Sequence, residues 1–411
     1  MKRSILVFLL PVIFSATAAA GSGGSAYSIF GVGDLRYGSS MENAAMGGAG
    51  LAMHSLSSIT PNAPATWSRL NRVRLEIGLL YEGFKSSDGD RSLYRAGATF
   101  HGALLAIPIS TPHGIVAVGG FVPYSSIDYN TFTRGLQAGI DYLLNHKGSG
   151  GLSRGLLGVS FAPLPGLALG ASLDYYFGSL ERSWTMVVSP PAAGGITRES
   201  LTSNGAGATA SLVFDGFDRI SESLRPLAIG VMLSSRAKLN ATSESTYRYT
   251  AERDSSPETK GILVIPLTFG VGFAYHITDR YTVATDFVAQ QWEGSEINGA
   301  TPRDLRNSSR FAFGAERAGT RDALAHWVDR PSYRLGFAWN ATYYRPDGRA
   351  VDEWAVTAGA GIPFTVDARL NIALEYAHRG TTANGLISDK IFRVLLSLNI
   401  GEQWFVRSAE E

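Results

Sequence analysis

The chain of 411 residues contains no cysteine. That removes disulfides, thiolate nucleophiles and thiolate-bound metals together. It also lacks a charge excess, since 36 Lys and Arg stand against 35 Asp and Glu, and nothing supplies the basic field that a phosphate backbone requires. The seven histidines are scattered without metal-ligand spacing, so neither a metal nor a cofactor is expected. Beyond the N-terminus no stretch approaches the roughly 18 uninterrupted apolar residues of a membrane-crossing helix, which excludes a helical membrane protein.

The N-terminus reads as an export signal. Lys2 and Arg3 precede the apolar run ILVFLLPVIF, and SATAAA supplies small residues for a peptidase. The run is too short to span a bilayer and Pro11 would kink it, so residues 1–20 are expected to be a signal peptide, cleaved after export through the Sec pathway.

What the chain does have is a period of two. In LALGASLDYYFG, Leu167, Leu169, Ala171, Leu173, Tyr175 and Phe177 share one face, opposite Ala168, Gly170, Ser172, Asp174 and Tyr176. PLTFGVGFAYH, YRLGFAWNATYY, RLNIALEYA and FRVLLSLNIG repeat the pattern. Strands of a soluble β-sandwich run to about five or six residues, whereas these reach the ten or so that cross a bilayer at a tilt. Tyr281, Trp292, Trp354, Trp404 and Phe405 near strand ends read as interfacial girdles.

Only a closed barrel leaves no unpaired edge in lipid. The fold class is therefore all-β: a transmembrane antiparallel β-barrel of about 14 strands in a bacterial outer membrane, occupying residues 72–411. Residues 188–200, 247–260, 295–307 and 379–390 read as long external loops, and 131–151 as another, because a further strand would make the count odd. The inward face is expected to be Gly, Ala, Ser and Thr with sparse charge.

Residues 21–71 show no strand pattern. Asn43, Gly47, Gly48 and Gly50, then Asn62, Pro64 and Ala65, lie in a run small enough to pack backbone against an inner wall, so this segment is expected to be a hatch plugging the lumen. Phe30, Met46, Leu51, Met53 and Trp67 argue against a disordered tail.

GVGDLRYGSSMENAAMGGAGLAM with NAPATWSRL, ILVIPLTFGVGFAYHITDRYTVATDFVAQQW, and LEYAHRGTTANGLISDKIFRVLLSLNIGEQWF together resemble the FadL-type family of outer-membrane long-chain fatty-acid and hydrophobic-compound transporters. The resemblance implies fourteen strands, an N-terminal hatch and passage of hydrophobic small molecules. The family's Asn-Pro-Ala reads here as Ala63-Pro64-Ala65 behind Asn62. It also implies a lateral exit at the third strand. In GIVAVGGFVPYSSIDYN both faces are apolar, and Gly119, Gly120 and Pro123 should interrupt pairing, which makes Gly119, Gly120, Phe121, Val122, Pro123 and Tyr124 the expected opening.

The reading is a passive channel without catalysis. Expected partners are a hydrophobic small-molecule substrate, outer-membrane lipid and lipopolysaccharide, and the barrel-assembly machinery during insertion, with no nucleic acid. Three alternatives stand beside it. A general porin would want a charged constriction, and a structural, assembly or secretion-associated barrel would transport nothing. A rim hydrolase would have to build on His378, beside Glu375 and Arg379.

Overall fold

The computed structural model describes residues 24–37, 40–137, 139–189, 194–249, 252–320, 322, 325–365 and 367–402. The expected signal peptide, Trp404 and Phe405 lie outside them. Alternation places each strand's two faces in opposite surroundings. Leu169, Leu173, Tyr175 and Phe177 are exposed, whereas Ala168, Ser172, Asp174 and Tyr176 are buried. A sheet with apolar residues outside and polar residues inside is stable only with lipid around it.

The wall strands are β1 Val73–Ser87, β2 Ser92–Ser110, β3 Ile115–Pro123 with Ser125–Gln137, β4 Ile140–Leu164, β5 Leu167–Ser189 and β6 Gly195–Phe214. Next come β7, Leu227–Ser234 with Ala237–Tyr249, and β8, Glu252–Ser255, Thr259–Ile265 and Thr268–His276. β9 Tyr281–Gln290, β10 Ser308–Arg317, β11 Ser332–Ala341, β12 Asp352–Pro363, β13 Ala368–Arg379 and β14 Ser388–Glu402 complete the fourteen. All neighbours are antiparallel, and β14 closes on β1 from Ser388 opposite Ser87 to Glu402 opposite Val73.

Three expectations need correction. Residues 131–151 are not a loop: β3 and β4 continue outward in register, from Ile127 opposite Gly150 to Gln137 opposite Ile140. The count stays even because both strands lengthen together. Residues 188–200 and 247–260 are likewise mostly strand, since β5, β6 and β7 pair almost to their outer ends. Polar composition signalled departure from lipid, and it does not by itself signal departure from the sheet. Finally, Tyr281 and Trp354 are exposed as girdle residues should be, but Trp292 is 0% exposed. It turns into the barrel mouth, where its Nε1 donates to Gln290 Oε1 at 3.0 Å and its ring lies 4.6 Å from Tyr343.

Candidate functional site

The residues that precede β1 lie against the inward face. A short helix, Met41–Ala44, starts at Ser40, whose Oγ accepts the Asn43 N–H, and a 3-10 turn, Pro64–Arg69, begins at the proline. Between them the backbone makes close approaches that only small residues permit. Gly47 takes φ 69°, and a Cβ there would sit 2.4 Å from the Phe337 carbonyl oxygen. A Cβ on Gly336 of β11 would meet the Gly47 nitrogen at 2.2 Å. Glycine on both partners lets the segment touch the wall.

Wall side chains then supply the polar partners. Asp286 Oδ2 accepts the N–H groups of Gly50 at 2.7 Å and Leu51 at 2.9 Å. Thr357 Oγ1 donates to the Ala45 carbonyl and accepts the Gly47 N–H, both at 2.9 Å, while Arg310 donates to the Gly47 carbonyl at 2.6 Å. Asn43 Nδ2 donates to Thr60, and the Ala65 N–H donates to Ser211 at 2.7 Å. Asn62, one residue displaced from the family pattern, accepts from Arg154 at 2.6 Å and donates to the Tyr37 carbonyl at 3.1 Å. Gly48 takes φ 95°, its added Cβ 3.0 Å from Arg310, and Pro64 packs over Gly170.

The expectation of sparse inward charge is wrong. Arg36 pairs with Glu82, Arg393 reaches Glu82 at 2.7 Å and Glu353 at 3.8 Å and also pairs with Glu375, and Arg379 joins Glu353 at 2.6 Å to Asp34 at 2.8 Å. This relay starts and ends on the N-terminal segment. Glu42 forms a second node with Arg334 at 3.6 Å and Arg369 at 3.7 Å, and accepts from Ser55 and Ser57. Burial alone would raise the Glu42 carboxyl, but the two guanidinium groups hold it below its ordinary value. Even Arg369, Glu375 and Arg379, which share β13, find their partners on other strands or on the segment, so no window of sequence displays the pairs.

A cavity of about 910 Å³, its mouth included, runs between the segment and the wall. Leu51, Tyr124, Tyr176, Met232 and Val288 give it apolar surface, and Asn62, Arg154, Asp286 and Arg310 give it polar surface. Arg310 lies 4.6 Å from the centre of the Tyr37 ring. Val122 and Pro123 reach its edge, so part of the sequence-predicted opening borders it.

The stretch expected to open falls at a break in one ladder. β2 and β3 pair from Pro108 and Val116 up to Ala103 and Phe121, and no register follows beyond them. Gly120, at φ 150°, allows this: a Cβ would lie 2.1 Å from the Ala103 carbonyl oxygen. Pro123 does not interrupt the other side, where it still opposes Ser153 of β4. Tyr124 separates the two parts of β3, gives its N–H to the Leu152 carbonyl, accepts from Arg36 N–H, and packs edge-on to Tyr176 at 5.1 Å. Phe121 is 45% exposed on the outer face, 5.5 Å from Phe100, and Gly119 is half-buried near Leu157. The inward Val116, Val118 and Val122 are not a bare lining; they pack with Ile59, Trp67 and Leu70 of the segment.

The rim site does not assemble. His378 bonds Ser388 Oγ at 3.1 Å and stacks on Trp354, while Glu375 turns inward to Arg393. Alternation puts His378 and Glu375 on opposite faces of β13, so the two do not converge on one site.

A family model described as BamG matches residues 1–409. Among solved structures the chain is similar to a FadL homologue of Pseudomonas aeruginosa at 13% identity, covering 90% of this chain and 99% of that one, with a TM-score of 0.61. It is similar to the Pseudomonas putida toluene transporter TodX at 17% identity, 89% and 99% coverage and a TM-score of 0.57. The CymD monoaromatic hydrocarbon channel follows at 14% identity, 89% and 98% coverage and a TM-score of 0.55. No curated protein matches the sequence. These likenesses establish the barrel architecture, and the chain belongs to the BamG family, as an outer-membrane β-barrel with the FadL type of fold.

Proposed function

We propose that this barrel is a passive channel for hydrophobic small molecules, long-chain fatty acids or aromatic hydrocarbons, entering from outside. The observation that carries the reading is the coincidence of a half-apolar internal cavity with a wall break at Phe121–Tyr124 on its border. Capture requires only burial: an alkyl chain moved from water gains about 0.8 kcal/mol per methylene. The outward strand extensions and mouth collect the solute, the cavity holds it, and movement of the N-terminal segment opens a lateral route past Gly119, Gly120 and Pro123. The segment can serve as a hatch because many of its wall contacts are single polar bonds to backbone, such as those of Asp286, Thr357 and Arg310, which water can replace one at a time. The similarity in fold to channels described for toluene and monoaromatic hydrocarbons supports the choice of solute class.

The test is binding of a labelled long-chain fatty acid to the purified, detergent-solubilised barrel, competed with toluene and with a sugar. Saturable binding displaced by toluene and not by sugar is expected. If folded, heat-modifiable protein binds no apolar ligand, the reading fails. Unchanged uptake after Gly120→Val with Pro123→Val would defeat the lateral route alone.

A further inference from the structure

Above the ladder break, β2 and β3 face each other as two strand edges without a strand between them. Among the described residues β2 from Ser92 to Phe100 pairs only with β1, and β3 beyond Ser126 pairs only with β4. The belt ends near this height: Tyr81 of β1, an exposed ring opposite Ala98, is followed outward by Gly83 and Lys85. The two edges therefore rise from the outer interface into the exterior.

The β3 edge is already capped, residue by residue, by groups that are not wall strands. Asp34 and Leu35 add to it antiparallel, opposite Ser126 and Ser125. Gly24 N–H donates to the Asp128 carbonyl at 2.8 Å, and Asp128 N–H donates to Ser28 Oγ at 3.1 Å. Arg95 of β2 reaches across and donates to the Asn130 carbonyl. Two strands flanking an absent third stand about 10 Å apart, a span an arginine covers. Alternate residues of a strand turn their N–H and C=O to the same edge, so Phe132, Arg134 and Leu136 continue the row. Their side chains are exposed, Phe132 by 56% and Leu136 by 70%.

We propose that this edge, from Asn130 to Leu136, is a β-augmentation site that takes an extended segment of a partner polypeptide. The Asp34–Leu35 strand is the precedent, since the chain's own backbone already pairs with the same edge in antiparallel sense. Backbone groups select the class of ligand: an extended peptide satisfies them, and a hydrocarbon leaves them unpaired. Cross-strand pairing selects its side chains, an acidic residue opposite Arg134 with apolar residues two positions to either side. A pocket of about 380 Å³ behind the slot is lined by Asp34, Arg36, Glu82, Ser126 and Asp128 together with Phe84. The inference does not rest on the transport reading.

The probe is the capped peptide Thr-Val-Thr-Glu-Thr-Val-Thr, added to the full chain in detergent, with amide hydrogen exchange read over residues 130–137. Exchange there should slow at least about tenfold. Two versions N-methylated on alternate residues separate pairing from greasy contact: one phase keeps the edge-facing donors and should bind, and the other should not. Arg134→Glu should lose the peptide and recover it when the peptide's glutamate becomes lysine. Absence of protection, or binding that survives both methylation phases as a lipid-like contact would, overturns the proposal.

Discussion

The two sides of the barrel solve different problems. β9, β10 and β11 have 10 residues each and β12 and β13 have 12, about what a bilayer requires. β4, β5 and β6 have 25, 23 and 20 and stand far above it. Their inward faces differ as well. The short side presents Ala284, Ala312, Ala338, Ala355 and Ala377, with Asp286, Arg334, Glu353 and Arg379 set among them. On the tall side the same layer holds Leu152, Leu156, Tyr176, Leu180, Leu201 and Leu239. Small residues on the short side admit the segment's backbone and isolated charges lock it, whereas bulky residues on the tall side pack with the segment's own Tyr27, Val32, Ile59 and Trp67. The segment docks on both sides by different means, and the excess strand on the tall side serves the exterior.

The contrast breaks most sharply at Arg379. Arg379→Ala leaves Glu353 and Asp34 buried without their shared cation, at a cost of about 3–5 kcal/mol, read as proteolytic release of residues 24–71 from an intact barrel. A barrel that loses its heat-modifiable form instead would show that the relay holds the wall and not the segment.

Acid probes the tall side, where His54 of the segment meets the turn after β6. Burial, reinforced by Arg69, lowers His54 to about 4, against which Asp215 at 3.8 Å pulls upward; His276 also faces it. Its folded value is below its free value of about 6.5, so docking is complete above that and weakens as pH falls toward 4, by up to about 3 kcal/mol at 1.36 kcal/mol per unit. Segment protection followed from pH 7 to 4 should fall in the native protein and stay level in His54→Asn.

Asp286→Ala returns to the short side with a smaller effect. It strips the acceptor from two buried N–H groups, Gly50 and Leu51, and should cost about 1–3 kcal/mol. Vesicles carrying the variant should leak small solutes faster; equal leakage would place the seal elsewhere. Arg225→Ala, on the tall side's exposed turn, removes the pair with Glu222 and should change stability by less than about 1 kcal/mol in a denaturant titration.

Much of the barrel was legible because lipid imposes period two on every outward face, as Leu169 to Phe177 illustrate. The count of fourteen came from the expectation of an even number, with 131–151 set aside as a loop, and it holds because β3 and β4 lengthen together. Strand ends did not follow from period two, since above the membrane neither face must be apolar and the signal fades while the ladder continues, as in β3 and β4. On the cavity's border, Val122, Pro123 and Tyr124 belong to the stretch that glycine, proline and a two-faced strand marked out. Arg36, Arg310 and Asp286 were not legible, because each is a single charge whose partner lies far along the chain, on another strand or on bare backbone. Trp292 misled because an aromatic at a strand end reads the same whether it turns to lipid or to the mouth.

The closing ladder between β1 and β14 joins the first wall strand to the last, Val73 to Glu402. Loop closure over so much chain comes late, and until it comes the wall is an open sheet. The residues ahead of β1 can then lie down on the alanine-lined side from the open edge, with no need to thread a finished cylinder. Closure seals them in, so the order of manufacture, beginning of the chain first and fourteenth strand last, is also the order in which a box is packed and its lid shut.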